Sequence, residues 1–125
     1  MKQLLSALDF SHELLSQVVS YGDTGVEYTV GNGHDTLFLA NLVGTDGTVY
    51  GFDIQAQAIE NTKALLRKTP PSAKNIFLYN ISHSKVDEIL PYQTMISAAI
   101  FNLGYLPAAS YTHLRAHETV LDLVC

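Results

Sequence analysis

Val26-Glu27-Tyr28-Thr29-Val30-Gly31-Asn32-Gly33-His34-Asp35-Thr36 is the stretch that decides the fold of this 125-residue chain. A β-branched segment runs straight into Gly-x-Gly, and an apolar helical pattern follows at once with Leu37, Phe38, Leu39, Leu42 and Val43. A second apolar run, Thr48-Val49-Tyr50-Gly51-Phe52, ends on Asp53. Strand, glycine turn, helix, second strand and terminal acid form the opening half of a nucleotide-binding α/β sheet. Glycine lets the backbone come close to a ligand, and the helix behind it offers free N–H groups and a positive dipole end. Asp53, at the end of the second strand, is placed to accept hydrogen bonds from two ribose hydroxyls.

The turn reads Gly31-x-Gly33-x-x-Thr36, so the third glycine of the dinucleotide fingerprint is replaced by a threonine. That glycine permits close helix–strand packing in NAD-binding folds, and its absence weighs against a nicotinamide oxidoreductase. The spacing Glu27-x-Thr29-x-Gly31-x-Gly33 suits S-adenosylmethionine (SAM) better. SAM carries a methionine sulfonium and no pyrophosphate, and an acid at the head of the turn can help hold its amino group.

The remaining pattern is strand alternating with helix. Ser11 can cap a helix over residues 11–20, and Tyr21-Gly22-Asp23-Thr24-Gly25 is a turn. Strand one is expected over 26–30, a helix over 35–43, strand two over 48–52 and a helix over 55–68 stopped by Pro70-Pro71. A short strand over 76–78, a short helix over 85–90 and a wholly apolar strand over 95–101 complete the series. Such alternation predicts a parallel, right-handed α/β sheet.

Five motifs occur in order: Phe10-Ser11-His12-Glu13-Leu14-Leu15, the turn Gly31-Asn32-Gly33-His34-Asp35-Thr36, Phe52-Asp53-Ile54-Gln55, Ser82-His83, and Phe101-Asn102-Leu103-Gly104-Tyr105-Leu106-Pro107. Over roughly residues 9–107 the chain closely resembles the small bacterial SAM-dependent methylases labelled rRNA methylases. That family includes the tRNA enzyme that methylates 5-aminomethyl-2-thiouridine at the wobble position. The resemblance implies a Rossmann-like class I SAM methyltransferase sheet with strand order 3-2-1-4, of which this chain would carry the N-terminal half. Three further strands normally pack outside strand four, so strand four is expected as an exposed edge. One departure is that Glu27-Tyr28-Thr29 stands where the resemblance implies Asp-Ala-Thr, which sets a large ring at a small position.

The resemblance implies SAM as cofactor and tRNA or rRNA as substrate. Expected at the cofactor are Glu27, the turn Gly31, Asn32 and Gly33, then His34 and Asp35, Asp53 with Ile54, His83 after strand three, and Asn102. Plainer roles exist for several: Asp53 as a helix cap, Asp35 as a dipole stabiliser, His83 as a loop residue. Asn102-Leu103-Gly104-Tyr105 is similar to the Asn/Asp-Pro-Pro-Tyr motif of amino-group methyltransferases. Methyl transfer from a sulfonium to an amine needs a neutral lone pair held in line. Asn102 could accept a hydrogen bond from that amine and Tyr105 could stack on a base, which makes these two the expected catalytic pair. His12 shares the family's motif without a derivable role.

Composition narrows the alternatives. Hydrophobic residues make up 47% and charged residues 15%, which argues against disorder. The net charge of −5 announces no polyanion partner, and Lys63, Arg67, Lys68 and Lys74 are the one basic cluster. That cluster reads either as a solvated helix end and loop or as a nucleic-acid patch. The start lacks the apolar region of a signal peptide, no run is long enough to span a bilayer, and no Cys/His spacing supports a metal. A cytoplasmic protein is expected, without metal or membrane. A non-catalytic fragment that associates through an uncovered sheet edge is the reading from outside enzymology.

The tail from about Ser110 is expected to have another origin. Ser110-Tyr111-Thr112-His113-Leu114-Arg115-Ala116-His117-Glu118-Thr119 back-translates as TCT TAT ACA CAT CTC CGA GCC CAC GAG AC, a transposase sequencing adapter. Asp122-Leu123-Val124-Cys125 back-translates as GAT CTC GTA TGC, the flow-cell segment that follows the index. Residues 1–109 are therefore expected to be a methyltransferase domain cut after its catalytic motif, and 110–125 a translated adapter. Cys125, the only cysteine, then says nothing of redox compartment, and His113, Arg115, His117 and Glu118 are expected to form no metal or catalytic site. Resequencing the source locus should give a different codon run from about Ser110; a native gene that encodes this tail would sink the adapter reading.

Overall fold

The first four strands lie parallel in one sheet, and each helix that follows a strand returns the chain for the next. The computed structural model describes residues 7–91, 94–101 and 104–107. In chain order the elements are α1 (Ala7–Val18), β1 (Thr24–Glu27), α2 (His34–Val43), β2 (Thr48–Phe52), α3 (Ala56–Lys68) and β3 (Asn75–Tyr79). A 3-10 turn (His83–Lys85), α4 (Val86–Ile89), β4 (Ala98–Phe101) and β5 (Gly104–Pro107) follow. The sheet order is β3-β2-β1-β4-β5, so the expected 3-2-1-4 arrangement is present. β1 is central, with Gly25 opposite Val49 of β2 on one side and Ala98 of β4 on the other.

Local chemistry sets the helix limits. In α3 the buried positions Ala58, Ile59 and Thr62 recur at helical spacing. Thr69 leaves the helix at φ −131° and ψ 80°, outside the α region that a following proline disfavours, while its N–H still reaches Leu65 O at 2.8 Å. α2 stops at Gly44, whose φ of 71° suits glycine alone.

Several boundaries differ from expectation: α1 runs from Ala7 to Val18, so Ser11 lies inside the helix and does not cap it, and β3 is one residue longer at each end. β1 starts two residues early and its ladder ends at Glu27, although Tyr28 N still donates to Ile100 O at 2.8 Å and Val30 N to Phe52 O at 3.0 Å. Residues 28–30 thus keep single bonds to β4 and β2 while the chain peels away towards the glycine turn. The expected helix over 85–90 divides into the 3-10 turn and the single turn of α4. β4 begins at Ala98, not at Met95, which is exposed.

The expected bare edge at strand four is corrected. β5 folds back antiparallel on β4, with Ala98 opposite Pro107 and Phe101 opposite Gly104. An adjacent extended segment satisfies backbone groups that an edge would leave unpaired, and a hairpin is the shortest way to bring one there.

Each face of the sheet carries its own core. On one, Leu15 and Val19 meet Leu39, Ala40 and Val43 of α2 over Val49, Ala98 and Ile100. On the other, Val86 and Leu90 cover Val26, Tyr28, Phe52 and Ala99. Among the described residues no helix is long and apolar enough to cross a membrane. Gly25 is where α2 seats most closely: a Cβ there would lie 2.6 Å from Leu39 Cδ2.

Leu39 is fully buried, so Leu39→Ala should cost about 2–5 kcal/mol by urea unfolding, and Gly25→Ala about 1–3 kcal/mol by overpacking. The double variant should lose less than the sum, because the smaller side chain vacates the space the new methyl needs. Strict additivity would show that the two residues are not in packing competition.

Candidate functional site

The glycine turn lies where β1 hands over to α2, and its backbone explains its composition. Gly31 has φ 54° and Gly33 φ 91°, both in the region that favours glycine. Gly33 N donates to Val30 O and Leu37 N to Gly33 O, each at 2.9 Å, which closes the turn and starts the helix. A side chain on Gly33 would also collide with α3, since its Cβ would stand 2.9 Å from Thr62 Oγ1 and 3.0 Å from Thr62 Cα. Thr62, itself fully buried, donates through Oγ1 to Gly31 O at 3.3 Å. Sequence reading misses Thr62; its one signal is a polar residue on the apolar stripe of α3.

Asp53 fastens this turn to the next one. It is 6% exposed; Oδ2 accepts the Gly31 N–H at 3.1 Å and Oδ1 the Gln55 N–H at 2.9 Å. The second bond is an Asx turn at the entrance to α3, so the cap-like role is real, yet the first bond reaches across the sheet. Its main chain is held too, with Asp53 N on Tyr79 O at 3.1 Å and Asn80 Nδ2 on Asp53 O at 3.0 Å. Thr29, Gly31, Asp53, Ile54, Gln55 and Ala58, with Tyr28 and Ser82, line a cleft of about 500 Å³ at this end of the sheet. Ile54 is 72% exposed and leaves an apolar surface there.

Glu27 sits behind the turn with almost no access to water. Its Oε1 accepts the Thr29 N–H at 3.2 Å, and Oε2 has no partner among the described residues. Burial pushes its carboxyl well above the ordinary carboxylate range; the Thr29 N–H opposes this, and the charges of Asp35 and Asp53 add to it. Tyr28, on the opposite face, is accommodated by an apolar cluster and stacks 6.2 Å from Phe52, which in turn stacks 5.5 Å from Tyr79. Burial raises its phenol as well. Thr36, at the position of the missing third glycine, is fully buried with Oγ1 unpartnered among the described residues. The close helix–strand approach that glycine would allow from α2 is supplied from β1 by Gly25.

At the head of α2, His12 of α1 and Asp35 meet at 2.8 Å (Nε2 to Oδ1), and the imidazole lies flat on Phe38 with centroids 3.8 Å apart. This gives His12 a partner that sequence alone did not supply. His34 and Asn32 are exposed beside the turn. His83 opens the 3-10 turn after Ser82, whose Oγ accepts the Ser84 N–H at 3.2 Å. β4 ends at Phe101, at the same end of the sheet as the glycine turn and Asp53. Asn102 and the tail 110–125 lie outside the described residues, and Tyr105 is placed only through its pairing with Ile100. Among the described residues no cluster of three or more His, Cys, Asp or Glu could hold a metal.

Comparison with known proteins agrees with this geometry. The family described as "Putative rRNA methylase" matches residues 49–124, an interval that runs through the tail expected to be adapter. The chloroplastic tRNA (mnm(5)s(2)U34)-methyltransferase of Arabidopsis thaliana is 38% identical over 123 residues, covering 93% of this chain and 45% of that protein. The rRNA methylase structure from Clostridium thermocellum superimposes with TM-score 0.73 at 37% identity, over 80% of this chain and 54% of the other. A methyltransferase from Streptococcus mutans, solved with S-adenosylhomocysteine (SAH), gives 0.69 at 36%, over 94% and 62%. The chain thus spans about half the length of the relatives it matches, and its fold is the Rossmann-like sheet of SAM methyltransferases. Because the family match takes in more than half of the sequence, and the relatives found by sequence and by structure agree with it, the chain belongs to the rRNA methylase family.

Proposed function

We propose that this chain is the cofactor-binding half of a SAM-dependent RNA methyltransferase, and that SAM occupies the cleft between the glycine turn and Asp53. The observation that carries the reading is the Asp53 carboxylate, held by two backbone N–H groups on the wall of the cleft. Each oxygen keeps a lone pair for a ribose hydroxyl. In this reading the methionine portion lies along Gly31–Asn32–Gly33 with its ammonium towards Glu27. His34 and Asp35 flank it at the start of α2, the adenine rests against Ile54 near Ser82-His83, and Asn102 is assigned to the cofactor by its motif alone. The SAH bound to the Streptococcus mutans relative supports the cofactor class.

The acceptor in this reading is the aminomethyl group of a modified wobble uridine in tRNA, supported by the name of the Arabidopsis relative. Asn102 would orient the amine lone pair and Tyr105 would stack on the base, with rRNA as the other substrate the family name allows. A cytoplasmic location goes with a tRNA substrate. The segment 110–125 is read as translated adapter from a back-translation of its residues alone.

Asp53→Ala should remove charge-assisted bonds of about 1.5–3 kcal/mol and weaken SAM roughly ten- to a hundredfold by calorimetry. A ligand-free melt of the same variant isolates the bracing role of Asp53, and unchanged SAM affinity would refute the ribose assignment. Glu27 supplies a second test. A carboxyl whose folded pKa is raised stabilises the fold below its ordinary titration range, and that stability is lost as pH rises through the raised value. Urea midpoints of the ligand-free chain should therefore fall as pH increases from about 5, and Glu27→Gln should flatten the fall. An unaltered slope in the variant would mean that Glu27 is already ionised in the folded chain.

A further inference from the structure

Charge is unevenly distributed along this acidic chain. Residues 56–80 hold four of the seven Lys and Arg and only one of the twelve acids, a local net charge of +3 against −8 for the rest. Lys63, Arg67, Lys68 and Lys74 are all exposed. Lys63 lies 3.7 Å from Glu60 on the surface, and no carboxylate among the described residues pairs with the other three. Arg67 and Lys68 stand in the last turn of α3, where they complement the helix dipole. That role covers neither Lys63, more than a turn upstream, nor Lys74, beyond the Pro70-Pro71 break. Lys63 and Arg67 are four residues apart and so share one face of α3.

From these observations we infer that Lys63, Arg67, Lys68 and Lys74 form a docking surface for the phosphate backbone of a structured RNA whose target nucleotide enters the cleft at the other end of α3. Gln55 and Ala58 line the cleft at the start of that helix, and its thirteen residues span about 20 Å. At about 3.4 Å per nucleotide of one strand, that distance is on the order of six nucleotides. The surface therefore contacts backbone remote from the modified base: it positions the RNA without reading its sequence. A free nucleoside or a very short oligonucleotide cannot reach both ends. The choice of RNA over another polyanion rests on the function proposed above; the surface itself rests on the charge and exposure of these residues.

The test measures binding of a fluorescent anticodon stem-loop RNA to the full chain by anisotropy across a salt series, with SAM affinity followed by calorimetry. K63Q/R67Q/K68Q/K74Q should bind the RNA at least tenfold more weakly at low salt. Its log–log salt slope should be shallower by about 3, at roughly 0.7–0.9 per phosphate contact, with SAM affinity unchanged. K85Q, outside the cluster, should leave the slope within about one contact of wild type. In the wild-type chain, bound RNA should protect Lys63, Lys68 and Lys74 from acetylation more than Lys85, a readout that needs no variant to fold. Wild-type affinity and slope in the quadruple variant, equal protection of all lysines, no RNA binding by the wild type, or equally tight binding of polyglutamate would each overturn the proposal. RNA binding through these residues without any SAM binding would instead uphold the surface and sink the cofactor assignment.

Discussion

Two backbone N–H groups from different crossovers, those of Gly31 and Gln55, converge on the single carboxylate of Asp53. The turn after β1 and the turn after β2 are thereby one unit, and everything at this end of the sheet depends on it. Thr62 reinforces the unit from α3 by bonding the carbonyl of the same glycine whose N–H Asp53 holds. Gly31 is thus gripped on both sides of its α-carbon, one reason a residue with positive φ and no side chain can hold a defined shape. Preorganisation of this sort lowers the ordering cost that a ligand would otherwise meet on arrival.

Glu27 shows the opposite economy. A carboxyl with one oxygen unpartnered in a nearly dry site destabilises the empty fold, and the nearby acids Asp35 and Asp53 make its ionisation harder still. Proteins tolerate such groups where a bound charge compensates them, and a ligand ammonium is the compensation the proposed function supplies. The uncompensated buried acid and the rigid glycine turn are therefore complementary halves of one site: the first gains from occupancy, the second makes occupancy cheap.

Much of this arrangement is legible in the residues. The alternation bounded by Gly47 and Asp53 defines β2 to the residue, because both limits are local chemistry. The strand order follows from the family resemblance, which the solved relatives bear out. β1 is less legible: 26–30 is uniformly strand-like, but where its ladder stops is decided by how far β2 and β4 stay within reach. β5 is illegible for a related reason, since a segment with glycine at one end and proline at the other does not read as a strand until a bare edge offers it pairing. Within the site, the residue types and their chain positions are apparent, but the partners are not. Nothing in the helical period of α3 tells which carbonyl Thr62 bonds, and nothing in the α1 motif tells that His12 will stack on Phe38 and bond Asp35.

The central position of β1 has a consequence in time. Its neighbour on one side, β2, emerges within about one helix length, but Gly25 must wait for Ala98 on the other side. At about 5–20 residues per second of synthesis, the intervening residues take roughly 4–15 s to appear. Through that interval the βαβ unit of β1, α2 and β2 must survive on its own core of Leu39, Val43 and Val49, with one flank of its strand unpaired. A nascent chain of this fold is most open to misassociation in its middle, not at its ends, and the ribosome sets how long that exposure lasts.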